Sequence, residues 1–240
     1  MKKLLVIALL LTGLQSFAQW PWEKIEGNGK ISKETRSVSG YSAVASSGSW
    51  DVMVAYGESN SIQVEGDGNL LGYIETTVEN GTLSIKAKKN VNLRSKNKIT
   101  IYVSLTRLTG ISLSGSGDII GEGKFSNNEK SHFKLSGSGN IKFSFAKIKE
   151  VEVSISGSGN IRLSGSANSV EAHVSGSGNV DCSDLICDDA TVRVSGSGNV
   201  KLNANKSVDA SINGSGNVTY KGAATDVKKH VSGSGRLVKA

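Results

Sequence analysis

The sequence predicts an all-β protein, a single-stranded parallel β-helix or closely related β-solenoid with about 19–20 residues per coil. The first of three supporting observations is a repeated stretch, Ser136-Gly137-Ser138-Gly139-Asn140, with near-copies around Gly115, Gly157, Gly176, Gly196, Gly214 and Gly233, spaced 18 to 22 residues apart. The second is strict alternation on both flanks. Ile111/Leu113, Phe133/Leu135, Val153/Ile155, Ala172/Val174, Val192/Val194 and Ala210/Ile212 stand four and two residues before the first glycine. Ile141/Phe143, Ile161/Leu163, Val180/Cys182, Val200/Leu202 and Val218/Tyr220 stand four and six after it. A period of two is that of a strand buried on one face, whereas a helix needs 3.6. The third is that 29 glycines fall at turns with no three-residue period and proline occurs once, at Pro21, so no strand lacks a donor.

Taken in order, Met1-Lys2-Lys3, the apolar run Leu4–Leu14 and Ser16-Phe17-Ala18 form a signal peptide over residues 1–18. No later stretch is long and apolar enough to span a membrane as a helix, so none is expected after cleavage. Export places the mature chain in the periplasm, at the outer membrane or outside the cell. Losing Lys2 and Lys3 lowers the formal charge from +7 to +5. Residues 19–40, with Trp20, Trp22 and a Gly-Asn-Gly turn, read as a mobile lead-in joining an edge strand near Lys30 to Val38.

One solenoid domain is expected over 41–240, with an irregular β part over 41–107 and regular coils over 108–240. Within the irregular part, Ser47-Gly48-Ser49 followed by Val52 and Val54 repeats the offsets of the regular coils and reads as a degenerate copy. Gly66-Asp67-Gly68-Asn69 is a weaker second candidate. Asn80-Gly81, between Tyr73–Val78 and Leu83–Lys88, signals a hairpin with a type I′ turn. Ile99, Ile101 and Val103 alternate into Leu105. This half should cap one end of the stack, because terminal repeats need a finished outer face.

In the regular coils glycine is expected at the corner for two reasons: it can take positive φ, and it has no Cβ where one coil lies on the next. Asn140, Asn160, Asn179, Asn199 and Asn217 should form a hydrogen-bonded ladder down the stack. Asp118 and Arg236 replace Asn in the first and last copies.

With the leader, the degenerate Ser-Gly-Ser-Trp-Asp-Val copy, the Asn-Gly hairpin and the serial Ser-Gly-Ser-Gly-Asn motifs in view, residues 40–240 resemble the bacterial putative auto-transporter adhesin family with the so-called head GIN domain. The resemblance implies an exported, β-helical, non-enzymatic protein acting in surface adhesion, and it supplies no active-site residues. The expected chain leaves no room beyond the Gly233 copy for a translocator barrel, a departure from an auto-transporter mechanism.

Equal offsets become files of side chains once coils stack. Lys142, Arg162 and Lys201 lie five residues after the corner glycine, facing outward, and are expected to lack acidic partners; they form the hypothesised stripe for an anionic glycan or another surface partner. Elsewhere Glu152 is expected to pair with Lys134, and Asp209 with Arg193. A second basic run, Lys86 to Lys98, reads mainly as a solvated hairpin edge. Nucleic acid is not an expected partner of an exported chain with few interleaved aromatics.

No catalytic, cofactor or metal residues are assigned. Cys182 falls on an inward position and reads as a core thiol, although an exported Cys182–Cys187 pair could also oxidise to a disulfide. Asp181, Asp184, Asp188 and Asp189 offer hard oxygen ligands for Ca²⁺ without matching a known loop. His132, His173 and His230 point outward with no base–orienter chain. Three functions therefore stand: a binding module, a purely structural envelope protein, and a polysaccharide-active enzyme using Glu152 and Glu171.

Overall fold

A computed structural model describes residues 22–240, the side chain of Asn127 excepted. The leader predicted over 1–18 lies outside the described residues.

The regular part is a stack of parallel coils. Strands Ile119–Leu135, Asn140–Ile155, Asn160–Val174, Asn179–Val194 and Val200–Ile212 pair in sequence order within one 16-stranded sheet. The register joins equal repeat offsets: Ile141 faces Ile161, which faces Val180, and Val153 faces Ala172, which faces Val192. Each long strand wraps a corner at an irregularity in the pairing, such as the one between Ser144 and Ile148. The inward residues fill one continuous core running from Tyr41 to Ala224. Its widest side chains, Phe125, Phe133, Phe143 and Phe145, cluster in the first coils, with ring centroids 5.2–6.5 Å apart. Later coils substitute Ala172, Ala190, Ala204 and Ala210.

Corner glycines are explained by one of the two expected reasons. None from Gly115 to Gly214 occupies the left-handed region; among the first corner glycines only Gly233 does, at φ 126°. Close approach is what excludes a side chain. A Cβ on Gly157 would stand 2.1 Å from the Gly137 carbonyl oxygen, and one on Gly159 would stand 1.9 Å from that of Gly139.

The degenerate copy is a true coil. Ala43–Ser47 pairs in parallel with Gly110–Leu113, and Asp51–Tyr56 pairs with the start of Ile119–Leu135. The Gly48 corner lies directly beneath Gly115, whose Cβ would meet the Gly48 oxygen at 1.8 Å. The Asn-Gly hairpin also forms: Ile74–Glu79 and Thr82–Ala87 are antiparallel, with Asn80 at φ 49° and Gly81 at φ 73°.

Two N-terminal expectations are corrected. Gly66-Asp67-Gly68-Asn69 is not a coil, because Ser61–Asp67 runs antiparallel to both Thr100–Leu105 and Ile31–Arg36. Asp67 instead ties a knot. Its buried carboxylate accepts the backbone N–H of Gly29, Lys96 and Asn97 together with the Asn97 side-chain amide, at 2.6–3.1 Å. Nor is the lead-in loose from Glu23 onward. Glu23–Glu26 pairs in parallel with Val91–Arg94, and Asn69 Nδ2 holds the Glu26 carbonyl at 2.8 Å. The edge strand predicted near Lys30–Val38 is found as Ile31–Arg36.

Candidate functional site

The stacking register places two outward files side by side on one sheet face. The first is the amide ladder. Nδ2 of Asn160 donates to Oδ1 of Asn140, that of Asn179 to Asn160, and that of Asn199 to Asn179, each at 3.0 Å; Asn217 continues to Asn199 at 3.2 Å. All the donors point toward the N-terminal end. There the file ends on an acceptor, and Asp118 takes both the backbone N–H and the amide of Asn140 at 2.9 Å. Asp51 extends it by one coil, accepting the Asp118 N–H at 3.1 Å. At the far end Asn217 is in register with Arg236, which can only donate. The two exceptions to the repeat thus stand at the two chemically distinct ends of the ladder.

The second file is the predicted stripe. Lys142 is in register with Arg162, Arg162 with Asp181, Asp181 with Lys201, and Lys201 with Thr219. The expectation that all three cations lack partners fails at Arg162, whose Nη2 and Nε lie 2.7 and 3.2 Å from one oxygen of Asp181. An acid in the same file one coil away is a nearest neighbour, and the offsets already placed it there. Burial pushes the Asp181 carboxyl up, but the hydrogen bonds from the Ser183 hydroxyl, Arg162 and the Ser183 N–H outweigh it and hold the group below the ordinary aspartate range. Among the described residues Lys142 and Lys201 form no ion pair. With Asp181 counted, the stripe carries three positive charges and one negative, a formal +2.

Between the files runs an open groove of about 590 Å³ across four coils, bounded by Asn140 to Asn199 on one side and Lys142 to Lys201 on the other. Its amides and charges repeat at the roughly 4.8 Å spacing of paired strands. Toward the N-terminal end the charged file becomes apolar, with Lys142 followed in register by Ile120, Met53 and Tyr102, the last 39% exposed. Ile120 and Met53 stand five residues after Gly115 and Gly48, so the repeat offset alone marks them. Tyr102 enters only through pairing with Met53, which no repeat announces.

A neighbouring face carries different pairs from those expected. Glu152 is held by Lys130 at 2.8 Å and by His132 at 3.3 Å rather than by Lys134. Arg193 reaches Glu171 at 3.4 Å rather than Asp209, and His173 also touches Glu171 at 2.9 Å. Lys130–Glu152 and Arg193–Glu171 are themselves diagonal pairs, each to a different neighbour from the one expected, while His132 stands directly opposite Glu152 and His173 lies two residues from Glu171 on its own strand. The hydrogen bond from Lys130 is the main reason Glu152 lies below the usual carboxylate range.

Both cysteines are buried and free. Burial pushes the Cys187 thiol up to about 12 and Cys182 further still, which disfavours the reactive thiolate at both. The four aspartates near them disperse to separate partners: Asp181 to Arg162, Asp188 to Lys206 at 2.8 Å, Asp189 to the Ser207 hydroxyl at 2.6 Å, and Asp184 toward Lys221 at 3.9 Å. Among the described residues no group of three or more His, Cys, Asp or Glu could hold a metal ion. Within the second basic run, Lys98 pairs with Asp51 at 2.6 Å and Lys88 lies over the Tyr73 ring.

No curated protein matches the sequence. Among solved structures, a putative adhesin from Bacteroides fragilis superposes with a TM-score of 0.83 at 22% identity, covering 90% of this chain and 100% of that one. A putative lipid binding protein from Parabacteroides distasonis gives 0.76 at 26%, covering 91% and 100%. A putative adhesin from Parabacteroides merdae gives 0.71 at 22%, covering 91% and 99%. These likenesses agree on the solenoid fold with its irregular N-terminal part. The family model for the putative auto-transporter adhesin, head GIN domain, matches residues 40–224, and with most of its length so matched the chain belongs to that family.

Proposed function

We propose that this protein is an exported, adhesin-like binding module of the cell envelope or surface, and that the groove beside the asparagine ladder receives an acidic glycan. One observation carries the reading: amides on four coils and cations on three of those four stand in register, so the groove offers a repeating ligand a repeating set of donors. Lys142 and Lys201 supply uncompensated charge toward an anion, while the Arg162–Asp181 pair adds both a donor and an acceptor suited to hydroxyls. The adhesin designations of the family and of two of the three structural neighbours support the same reading.

The enzyme alternative is less well supported. A glycosidase acid must hold its proton near neutral pH, which calls for a raised pKa. Glu152 is shifted the other way by Lys130. Both Glu152 and Glu171 are engaged by basic groups on an exposed sheet face.

Replacing Lys142, Arg162 and Lys201 together by Gln takes the stripe from a formal +2 to −1 and should abolish retention on an acidic polysaccharide column at low salt. Retention equal to that of the parent chain would remove the reading. A glycan array showing no specific binding at all would favour the structural envelope role.

A further inference from the structure

A second cleft, of about 560 Å³, lies where the strand pair Glu23–Glu26 and Val91–Arg94 meets the Gly48 corner. Its apolar surface comes from the buried Trp50, Val91 and Ile99 and from Trp22, which is 63% exposed. Four short polar side chains share the lining: Ser47, Ser49, Asn92 and Ser95. All four are exposed, and among the described residues none of their side chains has a hydrogen-bond partner. Among the described residues none that lines the cleft is charged.

We propose that this cleft is a binding site for an uncharged saccharide, one ring of which lies on the indole of Trp22 while its hydroxyls engage the serines and Asn92. An exposed indole offers a broad apolar face at little conformational cost. Hydroxyl and amide groups that both donate and accept match a ligand whose own groups do the same. The competing chemistries fit less well. An acyl chain would strip water from four polar side chains and return no hydrogen bonds. A carboxylate or phosphate would be desolvated against a lining in which no described residue is a cation; of the nearby lysines, Lys98 is committed to Asp51 at 2.6 Å, and Lys86, in register with Ser47, is not part of the lining. One wall is built rigid. The Trp50 indole lies against Gly48, where an added Cβ would fall 2.3 Å from the ring, and its Nε1 donates to Ser46 Oγ at 3.0 Å. A preformed wall spares the ligand the cost of ordering it. The site is separate from the charged stripe and does not depend on it.

The test is a tryptophan-fluorescence titration of the whole chain with tetrasaccharides derived from neutral glucans, mannans and galactans, and with alkyl maltosides of increasing chain length. At least one tetrasaccharide should shift the emission at millimolar concentration. Trp22→Ala should weaken its binding about tenfold or more, as truncation of an aromatic anchor does, with the melting temperature unchanged. Asn92→Ala and Ser95→Ala should each weaken it several-fold, and the Lys142, Arg162 and Lys201 triple variant should bind it as the parent does. The proposal is overturned if no tetrasaccharide binds, if Trp22→Ala binds equally well, or if maltoside affinity follows alkyl length rather than the sugar.

Discussion

The regular coils and the N-terminal cap fasten the same chain by opposite means. Between Gly115 and Gly235 the fastening is steric and repeated: each corner succeeds because there is no side chain, and carbonyl oxygens of one coil occupy the space a Cβ would need in the next. Between Glu23 and Leu105 it is polar and unrepeated, with Asp67 collecting donors from Gly29, Lys96 and Asn97, and with Arg36 donating to the carbonyls of Leu71 and Ile74 at 2.8 and 2.9 Å. Tyr41 does similar work through the carbonyls of Ser61 and Ser104. A repeating unit can be held by a rule, whereas an end without a neighbour must be closed by particular residues.

The largest expected effect breaks the rule itself. Gly159→Ala puts a Cβ 1.9 Å from the Gly139 oxygen, and because the obstacle is backbone it can move only by parting two coils. A loss of more than about 4 kcal/mol is expected, in the exceptional range for single substitutions, read as a fall of roughly 10 °C or more in melting temperature for a chain of this size. Gly72→Ala, with nothing within 4 Å, is the control and should melt as the parent does. Equal melting of both variants would disprove the stacked corner.

Asp67→Asn should act next, on the cap alone. Burial would raise the Asp67 pKa, but the hydrogen bonds from Asn97, Lys96 and Gly29 prevail and lower it. A depressed carboxylate contributes stability that is fully present above its unfolded value of about 3.9 and is lost as pH falls through the lower folded value. The variant should therefore melt lower at neutral pH and lose less stability than the parent on acidification below about pH 4. Tyr41 and Trp50 emission should report the change before the coil signal in circular dichroism does. Parallel acid profiles for the two proteins would show that the knot is not closed by charge.

This contrast also sets what could be read beforehand. Coil length, the inward residues and the stripe followed from offsets, because stacking turns position in the repeat into position in space; Val180 meets Val200 for no other reason. The Gly48 coil was legible on the same ground. Gly66-Asp67-Gly68-Asn69 imitates the motif, yet its aspartate serves donors 29 to 38 residues away in sequence, and no local pattern encodes such contacts. The pairing of Arg162 was within reach, since Asp181 stood in the same file. The Trp22 cleft was not, because it joins the lead-in to a corner and a hairpin that no shared period connects.

The smallest effect sharpens the comparison at the seam between the two regions, where the ladder begins. Every ladder amide donates toward the N-terminal end, so a carboxylate fits at Asp118, whose neighbour Asp51 is already served by the Asp118 backbone N–H and needs no side-chain donor. Asp118→Asn keeps the acceptor for Asn140 and brings a new donor beside Asp51, which already accepts from the backbone at that position; it should be neutral within a few tenths of a kcal/mol, as most surface substitutions are. Asn160→Asp sets a carboxylate against Oδ1 of Asn140, losing one hydrogen bond and opposing two acceptors, and should cost about 1 kcal/mol. The order is the test, since side chains that merely decorate a stack held by backbone would make the two substitutions equivalent in chemical denaturation. A larger loss for Asp118→Asn would reverse the assigned direction of the ladder, and with it the reason Asp118 and Arg236 stand where asparagine is otherwise repeated.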